Sequence, residues 1–275
     1  MAMSTNPIPS APGTPVGALL RAWRQRRRRS QLDLALDAEV SQRHLSFVES
    51  GRAAPSRDMV LRLAEQLDVP LRERNAMLLA AGYAPHFAER RLDDAAMSGA
   101  RSAVDAILRA HMPHPALAVD RCWTLLAANE ALAPLVAGVD DPALLAPPVN
   151  VMRLALHPRG LAPRIVNLAE WRAHLLERLR RQVEASADAT LVALLAEFSG
   201  YGMPPGSAAI SSAHPPGGIL VPLELDSPAG RLSLISTTTV FGSPVEVTLS
   251  ELAIEAFYAA DPVTAERLLR LRQAG

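Results

Sequence analysis

The stretch VSQRHLSFVESGR, residues 40–52, brings an amide, a guanidinium and an aromatic ring together on what its pattern predicts to be a short helix. With Leu45 and Val48 turned inward, Gln42, Arg43 and Phe47 lie toward its outer side. Glutamine pairs with the N6/N7 edge of adenine, arginine with O6/N7 of guanine, and an apolar group contacts the thymine methyl. The spacing therefore predicts a helix that reads the major groove of DNA. The alternatives are a solvated helix start and a Phe47 that packs in the core.

A second group of polar side chains could hold a small anion. It lies within residues 153–167 and consists of Arg153, His157, Arg159, Arg164 and Asn167. A guanidinium pairs with a carboxylate through two parallel hydrogen bonds, so this stretch could bind the head of a small acid. The same residues could equally brace a loop, since the HPRG sequence at residues 157–160 is typical of a turn.

Signs of catalysis are weak in this sequence. It has no glycine-rich phosphate loop and no G-x-S-x-G motif. The seven histidines are scattered, and the pair His111-x-x-His114 lacks further metal ligands. Cys122 precedes a tryptophan in a predicted strand and is expected in the core. We therefore expect no enzyme, no cofactor and no metal site.

Charge and composition separate a front part from a rear part. The 275 residues are enough for two domains and carry no formal net charge. Residues 16–57 hold 9 arginines against 4 acidic residues, whereas residues 83–275 hold 16 against 20. This predicts a part that binds a polyanion joined to a part that does not. A single cysteine favours the cytoplasm, and no apolar run approaches the length of a membrane span, so we expect no membrane partner.

Helix punctuation divides the front part into five short helices. Ser30, Ser41 and Ser56 are expected N-caps, while Pro70 opens and Gly82 closes the fifth helix. The second helix is expected to bury Leu32, Ala35 and Leu36. Because the second and third helices are joined by only a few residues, the pair resembles a helix-turn-helix.

The rear part mixes strands and helices. Two strands are expected around an Asp120-Arg121 turn, with Trp123, Leu125 and Ala127 on one face. A later hairpin alternates through Ile219, Val221, Leu223 and Leu225 and returns from Leu232 to Val240. The stretch ELAIEAFYA could be a last strand or a helix. Asn167 with Glu170 predicts a capping box, and Asp261-Pro262 opens a C-terminal helix.

The residues RRRRSQLDLALDAEVSQRHLSFVESGRAAPSRDMVLRLAEQLDV, at positions 26–69, resemble the XRE-type helix-turn-helix family. That resemblance implies that Gln31 grips a backbone phosphate and that Ser41, Gln42 and Arg43 open the recognition helix. It also implies phosphate contacts from Arg52 and the loop after it. The expected DNA-binding set is therefore Gln31, Ser41, Gln42, Arg43, Ser46, Phe47, Arg52 and Ser56.

Three stretches, at residues 44–85, 150–171 and 236–269, together resemble MmyB-like transcriptional regulators. The resemblance implies a PAS-like rear domain that binds a ligand similar to a fatty acid. With few aromatic residues, such a sheet must be filled by aliphatic side chains and can leave an elongated apolar cavity. The expected ligand contacts are Trp123, Leu125, Arg153, His157, Arg159 and Asn167.

These observations predict a two-domain DNA-binding regulator. We expect a disordered arm at residues 1–15, an all-α five-helix helix-turn-helix domain at 16–82, a linker at 83–99 and an α+β PAS-like domain at 100–275. The partners would be double-stranded DNA, a small ligand such as a fatty acid, and a second copy of the chain. In the alternative, the rear domain serves only for dimerisation or for contact with a partner protein.

Overall fold

A computed structural model of the chain describes residues 13–203, 221–242 and 244–274. Residues 1–12 of the expected arm and Ile219 of the expected hairpin lie outside the described residues. The chain divides into two compact units, one built mainly from residues before Arg90 and the other mainly from residues after it. Within the described ranges, no helix combines the length and the apolar character that crossing a bilayer requires.

The first unit is helical, as predicted. Its helices are α1 Val16–Arg26, α2 Gln31–Asp37, α3 Gln42–Glu49, α4 Arg57–Gln66 and α5 Leu71–Ala80. The hydroxyl oxygens of Ser30, Ser41 and Ser56 accept from backbone N–H groups three residues later, which satisfies donors at the starts of α2, α3 and α4. Gly51 and Gly82 follow α3 and α5 with positive φ angles of 74° and 83°, a conformation that glycine adopts without strain.

The buried face of α2 differs from the predicted one. Leu34, Ala35 and Ala38 are buried, whereas Leu32 is 51% exposed and Leu36 68% exposed. Four of the seven residues of this helix are apolar, three of them consecutive, so periodicity alone allows more than one inward stripe. Because α2 packs against both α3 and α4, the stripe that contains two alanines faces inward and lets the helices approach closely.

The second unit joins helices to one antiparallel sheet. The remaining helices along the chain are α6 Ser98–Ala110, α7 Ala133–Val136, α8 Val151–Leu156, α9 Leu168–Ser186, α10 Ala189–Ser199, α11 Val247–Glu251 and α12 Pro262–Ala274. The described strands are β1 Ala116–Val119, β2 Leu125–Ala128, β3 Leu223–Ser227, β4 Gly230–Val240 and β5 Ala253–Ala259. They lie in the order β2-β1-β5-β4-β3. The predicted α+β class is confirmed, and ELAIEAFYA is a strand.

The two faces of this sheet have different sizes of side chain. One face carries Ala116 and Ala118 of β1 with Ile254 and Ala256 of β5, packed against α6. The other face carries the leucines of β1, β3 and β4 and packs with α8 and α9 into the main core. Small residues therefore let α6 lie close to the sheet, while the opposite face has room for a second layer.

One strand prediction was wrong in its face assignment. Leu125 contacts the main core, but Ala127 contacts the α6 side of the sheet. The β1–β2 register shifts between Ala118 and Val119. Strand β2 therefore carries one extra residue, Leu126, between Leu125 and Ala127. Such a bulge reverses the side-chain alternation beyond it, which a strict two-residue period does not predict.

Candidate nucleic-acid interface and apolar cavity

The outer face of α3 presents polar side chains as predicted. Gln42 and Arg43 are exposed and Ser46 is half-buried, while Leu45 and Val48 are buried beneath them. The Ser41 hydroxyl accepts from the His44 backbone N–H at 3.1 Å, so its first role is to cap the helix. The amide and the guanidinium thus lie side by side at the start of a helix whose opposite face is fixed in the core.

Phe47 lies between two guanidinium groups on this surface. The guanidinium carbon of Arg43 is 5.4 Å from the ring centroid and that of Arg52 is 6.0 Å away. The ring is half-buried and is not part of the hydrophobic core formed by the described residues of this unit. Cations at these distances are attracted to the aromatic face, which holds both arginines beside the ring.

Glu49 organises the interior edge of the same surface. Its carboxylate accepts from Arg24 Nε at 2.7 Å, from a second Arg24 nitrogen at 2.8 Å and from Gln31 Nε2 at 2.8 Å. The hydrogen bonds between Arg24 and Glu49 raise the pKa of the Arg24 guanidinium. The predicted phosphate contact Gln31 is therefore held by Glu49. The buried acid in VESGR was the signal for this ion pair, and the sequence reasoning missed it.

Other arginines of the basic run 24–29 also have partners inside the unit. Arg27 donates to the backbone carbonyl oxygens of Leu67 and Asp68, both at 2.9 Å, just beyond the end of α4. Arg29 forms an ion pair with Asp37. Farther along the chain, Arg52 and Ser56 are exposed, and the Ser56 hydroxyl accepts from the Met59 N–H at 3.3 Å.

The second unit contains a partly open apolar cavity of about 230 Å³. Its floor is the leucine-bearing face of the sheet, with Leu117, Leu125, Leu223, Leu225, Leu234 and Phe257. Its cover comes mainly from α8 and α9, with Met152, Leu154, Ala155, Trp171 and Leu175. Sites for small molecules are typically concave and mostly apolar with few polar groups, which is the character of this cavity.

The polar part of the cavity wall is a compact cluster around Arg178. Arg178 forms a two-pronged ion pair with Glu255, and it donates to Thr238 Oγ1 at 2.7 Å. Thr238 in turn donates to Glu255 at 3.0 Å. The side chain of Glu255 is only 5% exposed and that of Arg178 23% exposed. Arg178, Glu255 and the neighbouring Ser236 are the polar residues among those that line the cavity.

Trp123 links this cluster to the cavity wall. The Arg178 guanidinium lies 4.5 Å from the Trp123 ring centroid, and the indole N–H donates to Gln182 at 2.8 Å. The tryptophan has a positive φ of 65°, and Asp120 accepts from the N–H groups on either side of it, at Cys122 and Thr124. This turn aims the ring at the cavity and keeps the residue outside β2.

The predicted ligand contacts separate into two sets. Trp123 and Leu125 line the cavity, whereas Arg153, His157, Arg159 and Asn167 do not. Arg153 forms a two-pronged ion pair with Glu197, at 2.6 and 2.7 Å. Hydrogen bonding by Arg153 lowers the pKa of Glu197, which is also bonded to Tyr201.

The remaining three residues of that stretch brace the surface. Arg159 is 63% exposed and pairs with Asp141 at 3.2 Å. The His157 Nδ1 accepts from the Arg159 N–H at 3.1 Å. Asn167 donates to the Pro222 carbonyl at 2.8 Å and accepts from the Glu224 N–H at 3.1 Å, which ties the start of α9 to β3. The contacts of these residues therefore agree with the alternative that they brace loops.

Arg178 and Glu255 were missed because Arg178 is one of four arginines in α9, while Glu255 is the single charge of β5. They are 77 positions apart and meet only when α9 packs across the sheet. The available signal was Glu255 itself, an acid in the middle of the apolar strand AIEAFYA. A buried carboxylate requires a partner, so this position predicts a nearby cation without identifying which one.

Comparison with known protein families assigns both units. Residues 100–271 match the model of the MmyB-like transcription regulator ligand binding domain. Residues 20–74 match a helix-turn-helix model. No curated protein sequence matches the chain significantly.

Proposed function

Because the chain belongs to the family of MmyB-like transcription regulators, which are DNA-binding proteins with a ligand-binding domain, we propose which surface reads DNA and what the ligand is. The proposed regulator acts in the cytoplasm on double-stranded DNA. Its second unit is a PAS-like sensor for a fatty acid or a related aliphatic molecule. The strand order β2-β1-β5-β4-β3 and the apolar cavity support the sensor assignment.

We propose that α3 enters the major groove with Gln42, Arg43 and Phe47 toward the base edges. The exposed amide and guanidinium suit adenine and guanine, and the ring suits a thymine methyl. Residues at the margins of this face contact the backbone or position the helix, namely Gln31, Ser41, Ser46, Arg52 and Ser56. Backbone contacts set register and base contacts set sequence preference.

The same proposal includes a homodimer. A helix-turn-helix unit covers a half-site, and two copies bind half-sites separated by about one helical turn, roughly 34–36 Å. The expected operator is therefore close to palindromic. Footprinting of an operator selected in vitro from random duplexes measures this spacing directly. Protection of a single asymmetric half-site would contradict the dimer.

The apolar cavity is the observation that carries the ligand proposal. Its wall is aliphatic and aromatic apart from the Arg178 cluster, so an alkyl chain fits it better than a sugar or a nucleotide. Each buried CH₂ contributes about 0.8 kcal/mol, which corresponds to roughly fourfold in affinity. Long chains should therefore bind far better than short ones until the cavity is filled.

Titration calorimetry of the full chain with straight-chain acids of increasing length tests this proposal. Ala155→Phe should fill the cavity and abolish binding, because Ala155 lines it. Ala173→Phe is the matched control on the exposed side of α9 and should bind as the unmodified chain does. Binding that is absent or independent of chain length would instead favour a second unit that serves only for protein contacts.

A further inference from the structure

The charges that face the cavity cancel within it. Arg178 is the cation among the lining residues and Glu255 is the anion. The two are joined by a two-pronged ion pair and share Thr238 as a common hydrogen-bond partner. The guanidinium charge is thus already neutralised before any ligand enters.

A ligand carboxylate would add an uncompensated negative charge to this apolar site. Burial of an unpaired charge is costly, and separation of Arg178 from Glu255 would leave the glutamate as the unpaired group instead. A neutral group that both donates and accepts a hydrogen bond encounters neither cost. The Ser236 hydroxyl, which lines the cavity near this cluster, can serve as its partner.

Neighbouring titratable groups do not supply the missing positive charge. On α9, His174 lies one turn before Arg178, and burial is the main cause that lowers the pKa of His174 below its ordinary value. It is therefore less readily protonated than an ordinary histidine. Arg180 and Arg181, the next cations of α9, are 51% and 76% exposed, and both pair with Glu177. The groups that β4 and β5 place against Arg178 are Thr238 and Glu255.

We infer that the ligand adds no net charge to the cavity, so that it has an uncharged polar head or, if it is a fatty acid, brings one proton with it. This inference rests on the proposed aliphatic ligand and specifies its head group. It separates two classes of molecule that share the same chain: neutral alcohols and primary amides on one side, and carboxylates on the other.

The test compares decanoic acid, 1-decanol and decanamide on the full chain by titration calorimetry between about pH 7 and pH 8. Alkyl carboxyls have pKa values near those of acidic side chains, about 4, so the protonated acid becomes tenfold rarer over this interval. The affinity for decanoic acid should fall about tenfold, while that for the alcohol and the amide stays constant. Titrations in buffers of different ionisation enthalpy should show uptake of one proton per acid and none per alcohol.

Glu255→Gln provides the decisive variant because it keeps the shape and removes the negative charge. It should bind decanoate at least tenfold more tightly at pH 8 than the unmodified chain and lose the pH dependence. Glu197→Gln is the control, since its partner Arg153 lies outside the cavity lining. If Glu255→Gln does not fold, the pH profile of the unmodified chain decides alone.

The possible outcomes separate this inference from the proposed function. Binding of decanoate that is independent of pH and tighter than that of decanol would overturn the neutral-head inference and leave the aliphatic ligand standing. Absence of binding by all three probes would overturn the aliphatic ligand and the inference that rests on it.

Discussion

At the scale of single residues, the partners of each guanidinium decide which arginines can reach DNA. Arg24 is paired with the buried Glu49, and Arg27 is held by two carbonyl oxygens. Arg43 and Arg52 are exposed and flank the same phenylalanine ring. Substitution of each of these two arginines in turn therefore tests which one contacts bases and which one contacts the DNA backbone.

Arg43→Ala should lower the affinity for a selected operator by about 1–3 kcal/mol and relax the preference at one base pair, because a two-pronged base contact is lost. Arg52→Ala should weaken binding to all duplexes alike and reduce the salt slope by about one unit. Fluorescence anisotropy on operator and scrambled DNA at several salt concentrations distinguishes the two. Equal losses on both DNAs for both variants would refute this division.

Phe47→Ala should lower operator affinity and leave thermal stability nearly unchanged, because the ring lies outside the described core. Leu45→Ala, two positions earlier and fully buried, is the matched control and should cost about 2–5 kcal/mol of folding free energy. Differential scanning calorimetry and DNA binding measure both effects. A stability loss for Phe47→Ala as large as that of the control would show that the ring is a core residue.

At the scale of elements, the position of α3 depends on a close approach between the backbones of two helices. A Cβ atom added at Gly17 of α1 would lie 2.1 Å from the Val48 carbonyl oxygen of α3. The added Cβ would clash with backbone atoms of α3, so the clash cannot be relieved by the movement of a side chain. The spacing between these two helices, and with it the placement of the end of α3, therefore requires glycine at this position.

Gly17→Ala should destabilise the first unit by about 1–3 kcal/mol, since overpacking outweighs the better helix propensity of alanine. Gly99→Ala in α6 is the matched control, because nothing lies within 4 Å of its added Cβ. It should be neutral or slightly stabilising. Thermal unfolding followed by circular dichroism compares the two, and similar behaviour of both variants would contradict the steric argument.

At the scale of the whole molecule, sensing requires that the ligand and DNA affect each other's affinity. An effector acts only through different affinities for two states of the protein. Couplings of this kind typically change affinity about 5–150-fold, and they are reciprocal. The second unit supplies the cavity and the first supplies the DNA surface, so the coupling can be measured from either side.

Saturating 1-decanol should change the operator affinity of the full chain by at least about fivefold, in whichever direction regulation runs. Saturating operator should change the affinity for 1-decanol by the same factor. Anisotropy gives the first number and calorimetry the second. Binding of the probe with no change in operator affinity would show that the cavity is not a regulatory site for DNA binding.

Local patterns in the sequence determined the five helices of the first unit, the α+β class of the second and the hairpin that forms β3 and β4. Caps, turns and side-chain periods act over a few neighbouring residues, so they can be read without the fold. The family resemblance, which the match over residues 100–271 confirms, came from the same stretches. The assignment of Gln42 and Arg43 to an exposed helix face also followed from local periodicity alone.

Only the tertiary structure decided which face of α2 is buried and which charges meet. The stripe through Leu34 was chosen by packing against α3 and α4, and the β2 bulge moved Ala127 to the opposite face. Arg153 pairs with Glu197 across helices, while Arg178 and Glu255 meet across 77 positions to form the polar wall of the cavity. Such pairs depend on how distant elements pack, and no local period encodes that arrangement.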